Sequence, residues 1–400
     1  RLMPALALMV TVTVVLSFFI QSPLGAQRTT SQTAIGAMLL SANFVIYNTT
    51  GGYFDAAAAA NPLLNTWSLS VEEQFYLIFP LLLALGWQVA RRWRRAHLSS
   101  VAPLLVVSVV GCASFLLMLA SSEADGTTFL PPQLVGFYGP LSRAWEFAAG
   151  ALLALLLARG RAAPRWTSAA LSAAGLALIT WGVLSIDEAS AGPSIRNLLP
   201  VGGTVLLLWA GAQVANPANR ILGSRSFVAV GDISYSWYLW HWPLIVFALL
   251  LWPDTPLVAV AAALVSLAPA VASFRWVEQP LRHATTLTRA RWARTIAFTM
   301  APPLLVGAFV ILAGPHGYGI PEIQRYLPMA DRHTVAVPGC LEGRPTPTDP
   351  SLCFMNDSAR GQPIYLLGDS HAQHFAEAAS DAALFLGRPI AVYTQPGCSL

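Results

Sequence analysis

The chain contains no lysine, and only 10% of its 400 residues are charged. So little charge excludes an ordinary soluble domain, in which about a quarter of residues carry one. The missing lysine leaves arginine to supply all 23 cations, a bias that reads as the base composition of the source rather than as chemistry. Nor is a cleavable leader recognised in these residues. The first apolar run, 2–20, is not followed by a small-residue cleavage pattern, and many similar runs come after it, so it reads as a membrane span. What the chain has in excess is hydrophobic surface, with 55% apolar residues and a mean hydropathy of +0.57. Its first partner is the lipid bilayer; nucleic acid is not expected. The sequence begins at Arg1 and stops inside what reads as an unfinished domain, so it is expected to be a piece of a longer chain.

Runs of about 20 apolar residues fit the roughly 30 Å hydrocarbon core of a bilayer. They fall near 2–20, 69–88, 101–120, 141–158, 167–186, 197–215, 232–252, 257–274 and 295–313, which predicts nine spans. A further run at 34–47 is short: about 14 helical residues reach only about 21 Å. Arginines cluster at Arg91 to Arg95, Arg159 to Arg165, Arg220 to Arg225 and Arg275 to Arg294, while alternate loops hold Glu123, Asp125, Asp187 and Glu188. If 34–47 does not span, every arginine-rich loop falls on one side, which the positive-inside rule assigns to the cytoplasm. Residues 34–47 are therefore read as interfacial or re-entrant, within a long external segment from 21 to 68, and everything after about 314 is expected outside the cytoplasm. The expected location is the inner (plasma) membrane, multi-pass, with the C-terminal domain periplasmic.

The tail changes character as Gly, Pro, Asp and Arg return. Residues 363–368 read as a short strand, 372–386 as a helix and 389–394 as a second strand, the βαβ unit of a parallel α/β domain. In an oxidising compartment Cys340 and Cys353 could close a small loop, with Cys398 pairing beyond the sequence; the alternative is that they stay unpaired. The sharpest local signal is Gly368-Asp369-Ser370-His371, where the first strand gives way to the helix. A serine at such a turn exposes its hydroxyl at the sheet edge, and the helix N-terminus offers N–H groups to an oxyanion. The plainer reading is that Ser370 caps the helix.

In the apolar region the informative residues are polar, because ionisable groups within spans are costly and face interior paths. The segment Asn65-Thr66-Trp67-Ser68-Leu69-Ser70-Val71-Glu72-Glu73-Gln74-Phe75-Tyr76 brings two carboxylates to the external end of a span, with Glu72 and Tyr76 on one helix face. The alternative is an interfacial aromatic belt with its carboxylates in water. Arg143 and Glu146 stand three apart, which suits a local ion pair. Ser234, Tyr238 and His241 share one face of the span 232–252, with His241 roughly 14 Å from its start; a packed, hydrogen-bonded histidine is the alternative to a catalytic one. Pro280 is expected to stop the helix ending at Arg282.

Three segments, Trp67-Ser68-Leu69-Ser70-Val71-Glu72-Glu73-Gln74-Phe75-Tyr76, Ser234-Tyr235-Ser236-Trp237-Tyr238-Leu239-Trp240-His241-Trp242-Pro243 and Glu278-Gln279-Pro280, together resemble the motifs of the acyltransferase 3 family of membrane O-acyltransferases. Arg1-Leu2-Met3-Pro4-Ala5-Leu6 is similar to the end of that family's arginine motif. The Gly-Asp-Ser block resembles the first signature of SGNH-type serine hydrolases. The resemblance implies a polytopic α-helical membrane bundle followed by the start of an extracytoplasmic, SGNH-hydrolase-like α/β domain. The implied divisions are an acyltransferase-like region at 1–282, a linker and final span at 283–313, and the external domain at 314–400. It also implies Ser370 as nucleophile and oxyanion donor, Gly397 as a second oxyanion donor, and His241, Glu72 and Glu73 as catalytic residues. Arg143, Glu146, Tyr76, Ser234 and Tyr238 become candidates for the acyl channel. The family's first-span histidine and the SGNH Asp, His and Asn are expected outside this sequence. The implied donor is acyl-CoA, in particular acetyl-CoA, with no bound cofactor or metal. The implied acceptor is an envelope polysaccharide or glycolipid such as lipopolysaccharide O-antigen. Two rival readings are a transporter or flippase with an accessory external domain, and an external esterase.

Overall fold

The computed structural model describes residues 2–50, 58–92, 96–123, 130–158, 165–186, 194–213, 216–282, 288–325, 354–355, 361–368, 372 and 375–394. The chain divides into two compact units, Arg1–Pro315 and His316–Leu400.

The first unit is helical. Its main helices are α1 (Met3–Ile20), α2 (Ala26–Met38), α3 (Ala42–Thr49), α4 (Thr66–Arg92), α5 (Ala96–Glu123), α6 (Ala144–Leu157), α7 (Arg165–Ser185), α8 (Leu198–Gln213) and α9 (Arg225–Leu251). They are followed by a broken span, α10 (Val258–Arg282), and by α11 (Arg289–Ala313). Each of the nine apolar runs coincides with a helix. Among the described residues seven helices are long and apolar enough to cross a membrane, α6 is shorter, and α9 is diluted by polar residues over its first half.

Proline explains how α10 breaks. Pro269 has no N–H for the carbonyl of Val265, and the helix is interrupted after that residue. Farther on, the Gln279 N–H bonds the carbonyl of Phe274, five residues back, so Phe274–Glu278 forms a π-turn. That turn carries Glu278 into the interior, where it is 3% exposed and accepts a hydrogen bond from Ser236 of α9 at 3.3 Å. Between α7 and α8, an added Cβ on Gly175 or on Gly203 would lie 2.7 Å from the other glycine's carbonyl oxygen. The two backbones can approach this closely only because neither residue has a side chain.

The described residues between 21 and 68 do not form a surface loop. The Gln27 amide donates to the carbonyls of Phe18 and Gln21, at the end of α1, whereas Ala37 and Leu40 share a crevice with Leu2, Met3 and Leu6 at its start. So α2 runs the length of α1 in reverse. The chain turns at Leu40, whose φ of 58° is left-handed, and α3 returns to Thr50, which joins Ile20 and Gln21 around another cavity. Residues 26–49 thus enter and leave the bundle on one side. In place of one apolar helix at 34–47 there are two helices, and the first is polar, burying Gln27, Thr30, Ser31 and Thr33. Hydropathy passes over α2 for that reason. The final helix, α11, lies against α1 and α2 and is part of the bundle.

In the second unit, β1 (Phe354–Met355), β2 (Ile364–Gly368) and β3 (Ile390–Thr394) form a sheet in the order β1-β3-β2. The strands β2 and β3 are parallel, with Ile364 beside Ile390 and Gly368 beside Thr394. They are joined by α12 (Ala376–Phe385), whose Ala376 and Ala383 pack on Ile390 and Val392.

Candidate functional site

The polar residues of the bundle meet around the first three turns of α4, and the reason lies just upstream. The Asn61 amide donates to Thr33 of α2 at 2.8 Å and its carbonyl accepts from the indole of Trp242 at 2.9 Å. Its own side-chain oxygen accepts from the Leu63 N–H at 2.9 Å. Asn61, Leu63, Asn65 and Thr66 are all buried. Asparagine supplies the donors and acceptors that a buried non-helical turn needs, so α4 begins inside the bundle and not at its surface.

That start corrects the expected position of Glu72 and Glu73. They line a narrow crevice with Leu2, Met3, Leu6 and Tyr235, at the beginning of α1. The end of α1 at Ile20 lies about 20 Å away by helical rise. The glutamates are therefore half-buried residues beside the start of α1, well away from the end of α1 at which the sequence reading placed them. Tyr76 donates to Glu72 at 2.5 Å and is 51% exposed, so it closes the outer side of this pair without reaching the crevice.

The tightest network joins α4 to α9. The Tyr238 hydroxyl lies 2.6 Å from Ser68 Oγ and donates to the Asn65 carbonyl at 2.9 Å, while the Asn65 amide donates to the Tyr238 carbonyl at 2.7 Å. That same carbonyl lies 2.8 Å from His241 Nδ1. A carbonyl can only accept, so the neutral imidazole carries its proton on Nδ1 and keeps the lone pair on Nε2. Asn65 Oδ1 is buried and has no hydrogen-bond partner among the described residues, which leaves this polar centre one unmet acceptor. Ser234 is not drawn in: it is exposed and bonds the carbonyl of Gly231 in its own helix.

Arg143 and Glu146 do pair, at 3.5 Å with 17% and 23% of their side chains exposed. Arg143 Nε also donates to the Phe137 carbonyl at 3.1 Å. Its guanidinium lies 4.7 Å from the Trp67 ring and 5.2 Å from that of Phe137, close enough for cation–π attraction to both. Trp67 precedes Ser68, so the ion pair and the Tyr238 network share one turn of α4. Phe137, Arg143, Glu146 and Asn197 border a cavity of about 530 Å³ between α6 and α8.

Asn61, Asn65, Ser68 and Asn197 are site residues that sequence reasoning passed over. The signal was available, since amides placed just before or at the start of apolar runs are costly there unless an interior partner waits. Ser370, His371, Gly397, Cys340, Cys353 and Cys398 lie outside the described residues. Cys112 is exposed and unpaired.

A bundle of apolar helices enclosing a knot of tyrosine, asparagine, serine and histidine is a multi-pass membrane protein with an interior polar centre. Residues 2–275 match the acyltransferase domain of the acyltransferase 3 family, and the chain belongs to that family. It is 36% identical over 201 residues to the putative membrane-bound transacylase BcsY of Komagataeibacter xylinus, a match covering 49% of this chain and 45% of that protein. It is 30% identical over 303 residues to the peptidoglycan O-acetyltransferase OatA of Listeria monocytogenes, covering 70% and 45% respectively. Against the putative peptidoglycan O-acetyltransferase YrhL of Bacillus subtilis the identity is 29% over 300 residues, covering 70% and 44%. The chain spans less than half the length of each of these relatives. No solved structure matches it.

Proposed function

We propose that this chain is the membrane part of an O-acyltransferase that takes an acyl group from cytoplasmic acyl-CoA and delivers it to a hydroxyl of a cell-envelope glycan outside. The observation that carries the proposal is the convergence of Asn65, Ser68, Tyr238 and His241 inside the region matched to the family. The names of the relatives favour acetyl as the group and add peptidoglycan to lipopolysaccharide O-antigen as acceptor. Arginines on the expected cytoplasmic side suit the phosphates of CoA. In the first step the thioester C–S bond breaks, an ester bond to the Ser370 hydroxyl forms, and the proton of that hydroxyl leaves with the CoA thiol. Ser370 is the proposed acceptor of the acyl group outside, holding it as an ester until a sugar hydroxyl attacks. The sugar ester then forms and the serine hydroxyl regains its proton, so one hard transfer becomes two easier ones. His241, with Nε2 free of a proton, is proposed as a base along the interior route.

Sealed vesicles of the full-length protein test this, with labelled acetyl-CoA on the cytoplasmic face and glycan on the other. Ester-linked label on the glycan, with one CoA thiol released per acetyl transferred, is the expected result. Movement of intact substrate without release of thiol would instead establish the transporter reading and refute this one.

A further inference from the structure

The cavity between α6 and α8 carries a second conclusion, which rests on the acyltransferase reading for the identity of its occupant as acceptor. Its volume of about 530 Å³ lies within the range of small-molecule sites, and its lining is divided. One end is polar: Arg143, Glu146 and Asn197, with Phe137 as a flat face beside them. The rest is mostly apolar, formed by Gly150, Val201, Val205 and Leu208, and the hydroxyl of Thr204 among them is turned to the Pro200 carbonyl of its own helix.

The polar end selects a kind of head group. Arg143 is the one cation among the lining residues, and Glu146 already neutralises it at 3.5 Å. Asn197 hydrogen-bonds Glu146 in turn. A phosphate would meet a carboxylate here as well as a guanidinium. A saccharide suits the site better, because its hydroxyls both donate and accept and its C–H face can rest on an aromatic ring.

The apolar end selects a tail. With 14 residues, α6 covers about 21 Å of a roughly 30 Å hydrocarbon layer. The irregular segment before it, 136–143, is tolerated at membrane depth only where it is buried or lines a cavity. Side chains meet several of its carbonyls: Ser142 shares its proton between those of Gly136 and Gly139, Asn43 donates to that of Tyr138, and Ser114 to that of Leu141. Leu208 is 56% exposed on the outer wall, so the cavity opens sideways onto the surface that faces lipid. A free polysaccharide would leave the apolar half unfilled. In the topology expected from the arginines, Arg143, Ile186 and Asn197 all stand at helix ends directed toward the external side.

We propose that the cavity between α6 and α8 holds the acceptor as a glycolipid, its neutral saccharide head against Arg143, Glu146 and Asn197 and its hydrocarbon chain along Val201, Val205 and Leu208. Trp67 then links this site to the Tyr238 network, because it touches Arg143 and precedes Ser68 in α4.

Binding to the purified full-length protein in nanodiscs tests this. The probe is a disaccharide glycoside of a saturated C16 alcohol with a photoreactive group in the chain; the free disaccharide and hexadecyl phosphate are competitors. Two variants serve. Gly150→Leu fills the apolar half, and an added Cβ there meets nothing within 4 Å, so folding is preserved. The pair Arg143→Met with Glu146→Leu removes both charges together and leaves neither buried alone. Photolabelling on α6 and α8, loss of binding by tenfold or more in each variant, and competitors at least tenfold weaker are the expected results. Three results would overturn the proposal: free disaccharide binding as tightly as the glycoside, hexadecyl phosphate competing equally, or labelling indifferent to Gly150→Leu. If the wild-type protein acetylates no acceptor but labels as described, the acyltransferase reading fails while the amphiphile site stands.

Discussion

Replacing Tyr238 by phenylalanine deletes a hydroxyl that holds two helices together and changes little else. The hydroxyl makes two contacts, with Ser68 Oγ at 2.6 Å and with the Asn65 carbonyl at 2.9 Å. Hydrogen bonds between helices in membrane proteins average about 0.6 kcal/mol, with a maximum of about 1.7, so the two together stabilise the fold by roughly 1 to 3 kcal/mol. The loss should fall toward the lower figure, because Ser68 Oγ lies 3.2 Å from the Asn65 carbonyl and can turn its one proton to that acceptor once the Tyr238 hydroxyl is gone. Unfolding in mixed micelles by a denaturing detergent measures the difference directly. A double-mutant cycle with Ser68→Ala isolates the shared bond and should return a coupling of about 0.5 to 1.5 kcal/mol. Tyr235→Phe is the comparison: that hydroxyl makes one longer bond, to the Leu2 carbonyl at 3.1 Å, and its loss should be about half as large. A coupling of zero between Tyr238 and Ser68, or an equal cost for Tyr235→Phe and Tyr238→Phe, would refute the claim that this network joins α4 to α9.

Other consequences can be checked independently. Gly203→Val places a branched side chain against the carbonyl of Gly175 and should separate α7 from α8, lowering stability by about 1 to 3 kcal/mol as overpacking does; a variant that melts like the wild type would contradict the close approach. Glu278→Gln keeps both the volume and an acceptor for Ser236 and should melt near the wild-type temperature, whereas Glu278→Ala opens a void and strands the serine. Equal melting of the two variants would mean that the π-turn does not depend on this contact. Ser370→Ala should leave insertion and bundle stability intact while abolishing acyl transfer to glycan, read as ester-linked label; unchanged transfer would rule out the covalent relay. His241→Gln should retain the fold and lose acylation, since an amide can replace the contact to the Tyr238 carbonyl but offers no basic nitrogen.

The apolar runs were legible in the sequence because burial in lipid is an additive property: twenty apolar residues in a row need no partner to identify them. The parallel βαβ arrangement of the second unit was legible for a similar reason, since Ile364–Gly368, Ala376–Phe385 and Ile390–Thr394 each carry their own periodicity and lie too close together in sequence for another crossover. The helix α2 was not legible. Its sequence, Ala-Gln-Arg-Thr-Thr-Ser-Gln-Thr-Ala-Ile-Gly-Ala-Met, reads as a loop until the carbonyls of Phe18 and Gln21 are found waiting for Gln27.

By itself the sequence determined where the apolar helices run, the motif residues and the chemistry those side chains have available. Tertiary structure decided how far along the bundle each motif sits. Glu72 and Glu73 look like surface carboxylates when depth is measured from the start of an apolar run. They are half-buried against the start of α1 because Asn61 and Asn65 find partners on α2 and α9 that let the chain turn while buried. Hydropathy counts the cost of a polar group entering lipid, but the partner that offsets the cost is commonly a hundred or more residues away, as Tyr238 is from Asn65 and Ser68. Only the folded arrangement contains that information.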